Sequence, residues 1–169
     1  KHTPIIAAGL IASLAGPVLS QENWNFANAY PATEYQSEAM QMLADLARER
    51  TQGDLDITVH HGGSLFANAE ILQSTRDGLV QMGTQLMTNL GRENSLWELD
   101  GIPFFVTGYE GARALWDAQR EPLTAELEST GLHLLYAIPW PVQGFFFTEE
   151  VSSMSDIAGM TMRAYNPST

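Results

Sequence analysis

Arg50-Thr51-Gln52-Gly53-Asp54-Leu55-Asp56-Ile57-Thr58-Val59 is the stretch that decides the fold. Gly53 can take the left-handed backbone that ends a helix, and Arg48 and Arg50 put cations where a helix C-terminus favours them. Beyond it, Leu55, Ile57 and Val59 alternate with polar residues as in a half-buried strand that stops at Gly62-Gly63. Upstream, Thr33 and Gln36 have capping-box spacing, and Ala39, Leu43, Leu46 and Ala47 form an apolar helical stripe. Earlier still, residues 23–29 alternate polar and apolar and turn at Tyr30-Pro31-Ala32. The order is strand, helix, strand.

Downstream, the pattern predicts a helix over 68–77, with Asn68 as N-cap and Gly78 as the stop, then a third strand over 79–84. Residues 89–101 are less regular, and Ile102-Pro103-Phe104-Phe105 reads as an apolar turn packed under a lobe. A helix over 110–129 turns Leu115, Trp116, Leu123 and Leu127 inward, with a break or kink expected at Pro122. Strands are predicted over 132–138 and 144–148, separated by Pro139-Trp140-Pro141. Ser155 is placed as the cap of a single turn ending at Gly159, and a strand over 160–164 carries Arg163. Strands alternating with helices imply an α/β architecture with a largely parallel sheet. The sequence stops directly after a strand, so an interrupted fold is expected.

Composition narrows the function. The 169 residues include no cysteine, which removes disulfides, thiolate metal sites and Cys nucleophiles. A net charge of -12 repels phosphate backbones and anionic membrane surfaces, which argues against nucleic-acid binding. The amino terminus reads as a targeting segment. Lys1 and His2 precede a short apolar run at 5–14, and Val18 and Ser20 stand at the -3 and -1 positions of a cleavage site before Gln21. The run is too short to span a bilayer, and a buried core helix is the other reading.

Few constellations carry chemistry. His60 and His61 are adjacent on a strand, so their rings point to opposite faces and rarely share one metal ion. No serine lies in a nucleophile elbow, Ser64 only echoes a glycine-rich turn, and Glu149-Glu150 make a poor acid/base pair. The aromatic segment from Trp140 to Phe147 reads either as core or as the wall of a cleft, with Gln143 offering an amide donor there. Arg163 is the lone cation in a stretch holding Glu121, Glu126, Glu128, Glu149, Glu150 and Asp156. On a mostly buried strand it needs an anionic partner, from a protein carboxylate or from a ligand. Asp156 is assigned to the turn before it.

The order of these motifs resembles the periplasmic solute receptors of tripartite ATP-independent periplasmic (TRAP) transporters, of the DctP type. The residues that carry the resemblance are the Tyr30-Pro31 loop, the stretch 50–59, Gly63-Ser64-Leu65, Asp77-Gly78-Leu79-Val80-Gln81-Met82-Gly83, residues 99–105 around Pro103-Phe104, and 156–163. The match runs from about Trp24 to the end of the chain.

The resemblance implies a two-lobed protein that closes around an organic anion and hands it to a membrane permease. On that basis residues 1–20 are a signal peptide, 21–140 a nearly complete first lobe and 141–169 the start of a truncated second lobe. The mature protein is then periplasmic. An arginine at the place of Arg163 forms a salt bridge with the ligand carboxylate in that family, and a guanidinium suits this because it binds bidentately and keeps its charge when desolvated. Many members carry a second arginine where this chain has Gln143, which points toward a single-carboxylate ligand. Members with Gln there include 2-oxo acid receptors that also hold a cation; no cofactor is otherwise implied. Thr84, Gln85 and Tyr30 are carried over as first-lobe ligand residues. Tyr165 and Asn166 are carried over from the second lobe, and Trp140 and Phe145 are assigned to the cleft wall. The competing readings are a receptor of another transporter class, an exported α/β enzyme with its catalytic groups elsewhere, and a structural or interaction fragment.

Overall fold

Three strands and two crossover helices build a small parallel sheet. In the computed structural model, which describes residues 21–163, β1 (Glu22–Ala27) pairs in parallel with β2 (Leu55–His60) and with β3 (Met82–Gly83), in the order β2-β1-β3. Helix α1 (Tyr35–Arg50) joins β1 to β2, and α2 (Asn68–Arg76) carries the chain across β1 to β3. Parallel neighbours require such crossovers, and crossovers of one hand to opposite sides of β1 put the two helices on opposite faces.

The buried residues follow that geometry. Phe26, Ile57 and Met82 face α1, where Met40 and Ala44 meet them. Ala27, the next residue along, faces the other way and packs with Ile71 of α2 and with Val80. Alternation along one strand therefore supplies two cores.

Local chemistry fixes the junctions. After α1, Gln52 and Gly53 both take positive φ (56° and 91°), and the Gly53 N–H donates to the Arg48 carbonyl at 2.8 Å. The helix stop expected at Gly53 is present. Of the expected α1 stripe, Leu43 and Ala47 pack against the core and Leu46 is exposed, while the most buried positions are Gln36, Ser37, Met40 and Ala44. No side chain caps α1, so the Thr33–Gln36 box is not formed. Helix α2 starts with the Glu70 carboxylate accepting from the Ala67 N–H at 3.1 Å, so Ala67 takes the N-cap place expected for Asn68. Gly78 takes φ 71° just after it.

The third strand is much shorter than the 79–84 expected. The Asn25 N–H donates to the Gln81 side chain at 2.8 Å, where a longer ladder would use main chain. Pairing is left to Phe26–Met82 and Ala27–Gly83, extended by the Thr84 N–H to the Ala27 carbonyl at 3.1 Å. At Gly83 a Cβ would lie 2.5 Å from Thr75 Oγ1 and 2.6 Å from Ile71 Cγ2, so close α2–β3 packing requires glycine there.

Beyond the sheet, short 3-10 turns at Met87–Leu90 and Ser95–Gly101 pack against α3 (Gly108–Ser129). Leu90, Trp97, Leu123 and Leu127 form their core, and Leu72 of α2 joins it to the sheet layer. Glu126 holds the two parts together, accepting from Trp97 Nε1 at 3.0 Å and Asn94 Nδ2 at 2.6 Å. Pro122 does not break α3, which runs through it with Leu123 buried on one side and Pro122 itself exposed.

Several expected strands are not formed. Residues 132–138, 144–148 and 160–163 join no ladder among the described residues. A strand is stable only where a neighbour takes its main-chain groups, and the described residues place no sheet edge beside these segments. Leu132 and Leu134 pack on the α3 core, but Leu135 and Tyr136 are exposed. The 102–105 turn is also exposed, with Phe104 91% accessible and at φ 62°, so it is not packed under a lobe.

Removing the Glu126 clamp should cost stability. Glu126→Ala leaves the buried Trp97 N–H without its acceptor, for a loss of about 1–3 kcal/mol. A urea titration followed by tryptophan fluorescence measures it, and an unchanged midpoint would contradict the assignment.

Candidate functional site

The polar groups gather where the three strands end. In an open parallel sheet the crevice beyond the carboxyl ends, where the strand order reverses, is the natural ligand position. Here that point lies between β1 and β3.

Asn28, the first residue after β1, organises it and is only 1% exposed. Its Oδ1 accepts from the Tyr30 N–H at 3.1 Å and from Thr84 Oγ1 at 3.3 Å. Its Nδ2 faces the Tyr30 carbonyl at 3.2 Å, Ser37 Oγ at 2.7 Å and His61 Nδ1 at 3.1 Å. The Tyr30 main chain fixes which end of the amide is which, so Oδ1 is the accepting end and Nδ2 the donating end. The main chain adds to the knot: Gly62 N–H donates to the Tyr30 carbonyl at 2.8 Å, and Gly63 N–H to the Asn28 carbonyl at 3.0 Å. One side chain thus ties together the ends of β1, β2 and β3 and the start of α1.

Sequence reasoning missed Asn28. Its only signal was a polar residue at the place where the β1 alternation gives way to the Tyr30 turn. The two histidines separate as expected: His60 Nε2 meets Asn25 Oδ1 at 2.8 Å, while His61 turns to Asn28.

An aromatic group stands next to this knot. Trp140 packs edge-on against Tyr30, with ring centroids 5.3 Å apart at 67°, and against Tyr35 at 6.1 Å and 81°. The Tyr35 hydroxyl donates to the Pro139 carbonyl. Burial pushes the Tyr30 phenol above its usual 10.0, so it stays a neutral donor.

The structure therefore brings Tyr30, Thr84 and Trp140 to one place, with Gln85 directly after Thr84 and its Oε1 buried without a partner among the described residues. It does not bring the others there. Phe145 is 74% exposed and stacks on Phe147 at 6.3 Å, beside a Phe146 that is 94% exposed. Phe145 and Phe146 join no core cluster among the described residues. Gln143 is exposed and reaches only the Pro141 carbonyl at 3.4 Å.

Arg163 lies on no buried strand: it and its neighbours Met160 and Met162 are exposed, and it makes no ion pair among the described residues. The run 160–163 has no sheet partner to bury it. Asp156 is taken up by the turn before it, its Oδ2 accepting from Ser153 N–H at 2.8 Å and Ser152 N–H at 3.0 Å. Ser155 instead meets Ser153, hydroxyl to hydroxyl at 2.7 Å, so Asp156 and not Ser155 holds the turn. Tyr165 and Asn166 lie outside the described residues.

An open groove of about 620 Å³ lies elsewhere, along α1 between Ser37, Glu38, Gln41, Asp45, Glu49 and His61. Three carboxylates line it, a field that repels an organic anion.

Two measurements probe this arrangement. Asn28→Leu removes the acceptor for the Tyr30 N–H and should lower stability by about 1–3 kcal/mol in a denaturant titration; an unaltered curve would show that the knot is dispensable. The Asp156 carboxyl is held below its usual 3.8 by the Ser152 N–H first, then by the Ser153 hydroxyl and N–H. A depressed folded pKa gives stability that is present above the unfolded value and is lost as pH falls through the folded one. The Ser152 and Ser153 amide resonances should therefore titrate with a midpoint below 3.8, and a midpoint at or above it contradicts the bonding described.

Known proteins match this chain well. The DctP family model, described as bacterial extracellular solute-binding protein, family 7, matches residues 26–169. A TRAP solute binding protein from an unidentified marine microbe, specific for pyroglutamate and solved with it, is 38% identical over 81% of this chain, with a TM-score of 0.76. DctP6 of Bordetella pertussis, an extracytoplasmic solute receptor binding pyroglutamic acid, is 35% identical over 70% of the chain, with a TM-score of 0.69. DctP7 of the same organism, also binding pyroglutamic acid, is 30% identical over 80%, with a TM-score of 0.76. The chain spans 40–45% of the length of these three proteins. With its parallel sheet, its polar knot at the strand ends and a match over residues 26–169, the chain belongs to the DctP family of bacterial extracellular solute-binding proteins.

Proposed function

We propose that this protein is the periplasmic receptor of a TRAP transporter, capturing a small organic acid with one carboxylate between two lobes and delivering it to the membrane permease. Membership of the family carries the reading, because its members are solute-binding proteins. Three relatives at 30–38% identity bind pyroglutamate, an acid with a single carboxylate, which supports the finer statement.

In this reading residues 1–20 direct export, 21–140 form the first lobe and 141–169 begin the second. Arg163 takes the ligand carboxylate through a bidentate pair, which an exposed guanidinium without an ion-pair partner among the described residues is free to do. Gln143 offers an uncharged donor in place of a second cation. Tyr30, Thr84 and Gln85 contribute the first-lobe wall, and Trp140, packed on Tyr30, shields it from water. Phe145, Tyr165 and Asn166 belong to the second-lobe wall, and the exposure of Phe145 fits a surface that closure covers. Capture rather than turnover is the activity in this reading, because the family's members are solute-binding proteins.

The test is thermal unfolding of the protein with a panel of organic acids. A ligand that binds only the folded state raises the midpoint by mass action. One-carboxylate acids should give the larger shifts, and Arg163→Ala should abolish them. No shift with any acid, or an unaltered shift in the variant, would count against the assignment.

A further inference from the structure

Among the described residues Gln36 is the side chain that leaves two buried polar atoms unpaired; Arg76, Gln85, Thr88 and Gln119 leave one each. Gln36 is 4% exposed, and both its amide nitrogen and its amide oxygen are buried without a partner among the described residues. Such a group is costly unless something completes its bonds.

Its place in the fold indicates what does. Helix α1 returns the chain from the carboxyl end of β1 to the start of β2, so it runs antiparallel to the strands. Met40 packs over Phe26 and Met82, near the ends of β1 and β3. Gln36 stands one turn earlier on the same stripe, roughly 5.4 Å further along the axis. That puts it past the strand ends, at the level of Asn28 and Thr84. The next residue confirms the level, since Ser37 Oγ accepts from Asn28 Nδ2 at 2.7 Å. Gln85, one residue beyond Thr84, also leaves its Oε1 buried and unpaired.

A carboxamide presents a donor and an acceptor side by side. The edge that completes both at once is another amide held cis, which is what a lactam ring enforces. We infer that Gln36 reads the lactam edge of a cyclic amino-acid-derived ligand, donating to its carbonyl and accepting from its N–H, with Gln85 Oε1 as a further acceptor. This deepens the receptor reading above and rests on it: Arg163 holds the carboxylate, and Gln36 discriminates the ring.

Calorimetric titration of the protein with pyroglutamate and with cyclopentanecarboxylate separates the two roles, because the second acid keeps the carboxylate and ring size but lacks the amide. The unsubstituted protein should bind pyroglutamate about tenfold or more tighter, as sites with buried polar groups reject analogues that leave them unpaired. Gln36→Leu should abolish that preference, weakening pyroglutamate about tenfold while cyclopentanecarboxylate stays within about threefold. Gln36→Met, unbranched and close in volume, should do the same, and melting curves establish that each variant folds. Arg163→Ala should lose both acids together.

Equal weakening of both acids in the Gln36 variants, no change in either, or failure of both variants to fold would make Gln36 structural and overturn the inference. Equal affinity of the unsubstituted protein for the two acids would overturn it while leaving the receptor reading intact. Binding of neither acid would overturn both.

Discussion

β1 has a parallel neighbour on each side, and most of the remaining architecture answers that constraint. A strand paired on both edges exposes two faces, and each has to be covered. Phe26 and Ala27 divide the task, one packing under α1 and the other under α2. Because the neighbours are parallel, the chain must leave the sheet at its carboxyl end each time and return by a helix. All three exits therefore lie on one edge, and the polar groups of the turns meet there.

That edge is where packing gives way to chemistry. Asn28 satisfies the turns with one amide, whose two ends are assigned by the main chain of Tyr30. Around it lie groups with different duties. Ser37 and His61 are drawn into the knot, Thr84 touches it, and Gln36 and Gln85 leave amide atoms unmet among the described residues. The α1 groove shows the contrast, since its carboxylates suit solvent and not an organic anion.

The sequence was most legible where a signal is local. Gly53 ended α1, β2 followed its alternation, and Gly78 followed α2 because a left-handed residue or a period of two depends on near neighbours alone. It was less legible where the answer depends on a partner. The α1 face keeps Leu43 and Ala47 against the core but centres on Met40 and Ala44, in line with Gln36 and Ser37, polar residues buried at the strand ends. The apolar runs at 132–138 and 144–148 were read as strands from composition, but a strand belongs to a pair and the described residues supply no second member. The same reason left Arg163 exposed. Of the expected site residues, Tyr30, Thr84 and Trp140 lie together. Asn28 carried only the weak signal of a polar residue at the end of the β1 alternation.

The aromatic contact between Trp140 and the two tyrosines joins segments about a hundred residues apart, Tyr35 and Pro139 being 104 positions distant. None of its three rings belongs to the buried clusters that hold the sheet or α3. The contact can therefore open while both cores stay folded, at a free energy well below that of global unfolding. It is a clasp separate from both cores, joining the Pro139-Trp140 segment to the start of α1.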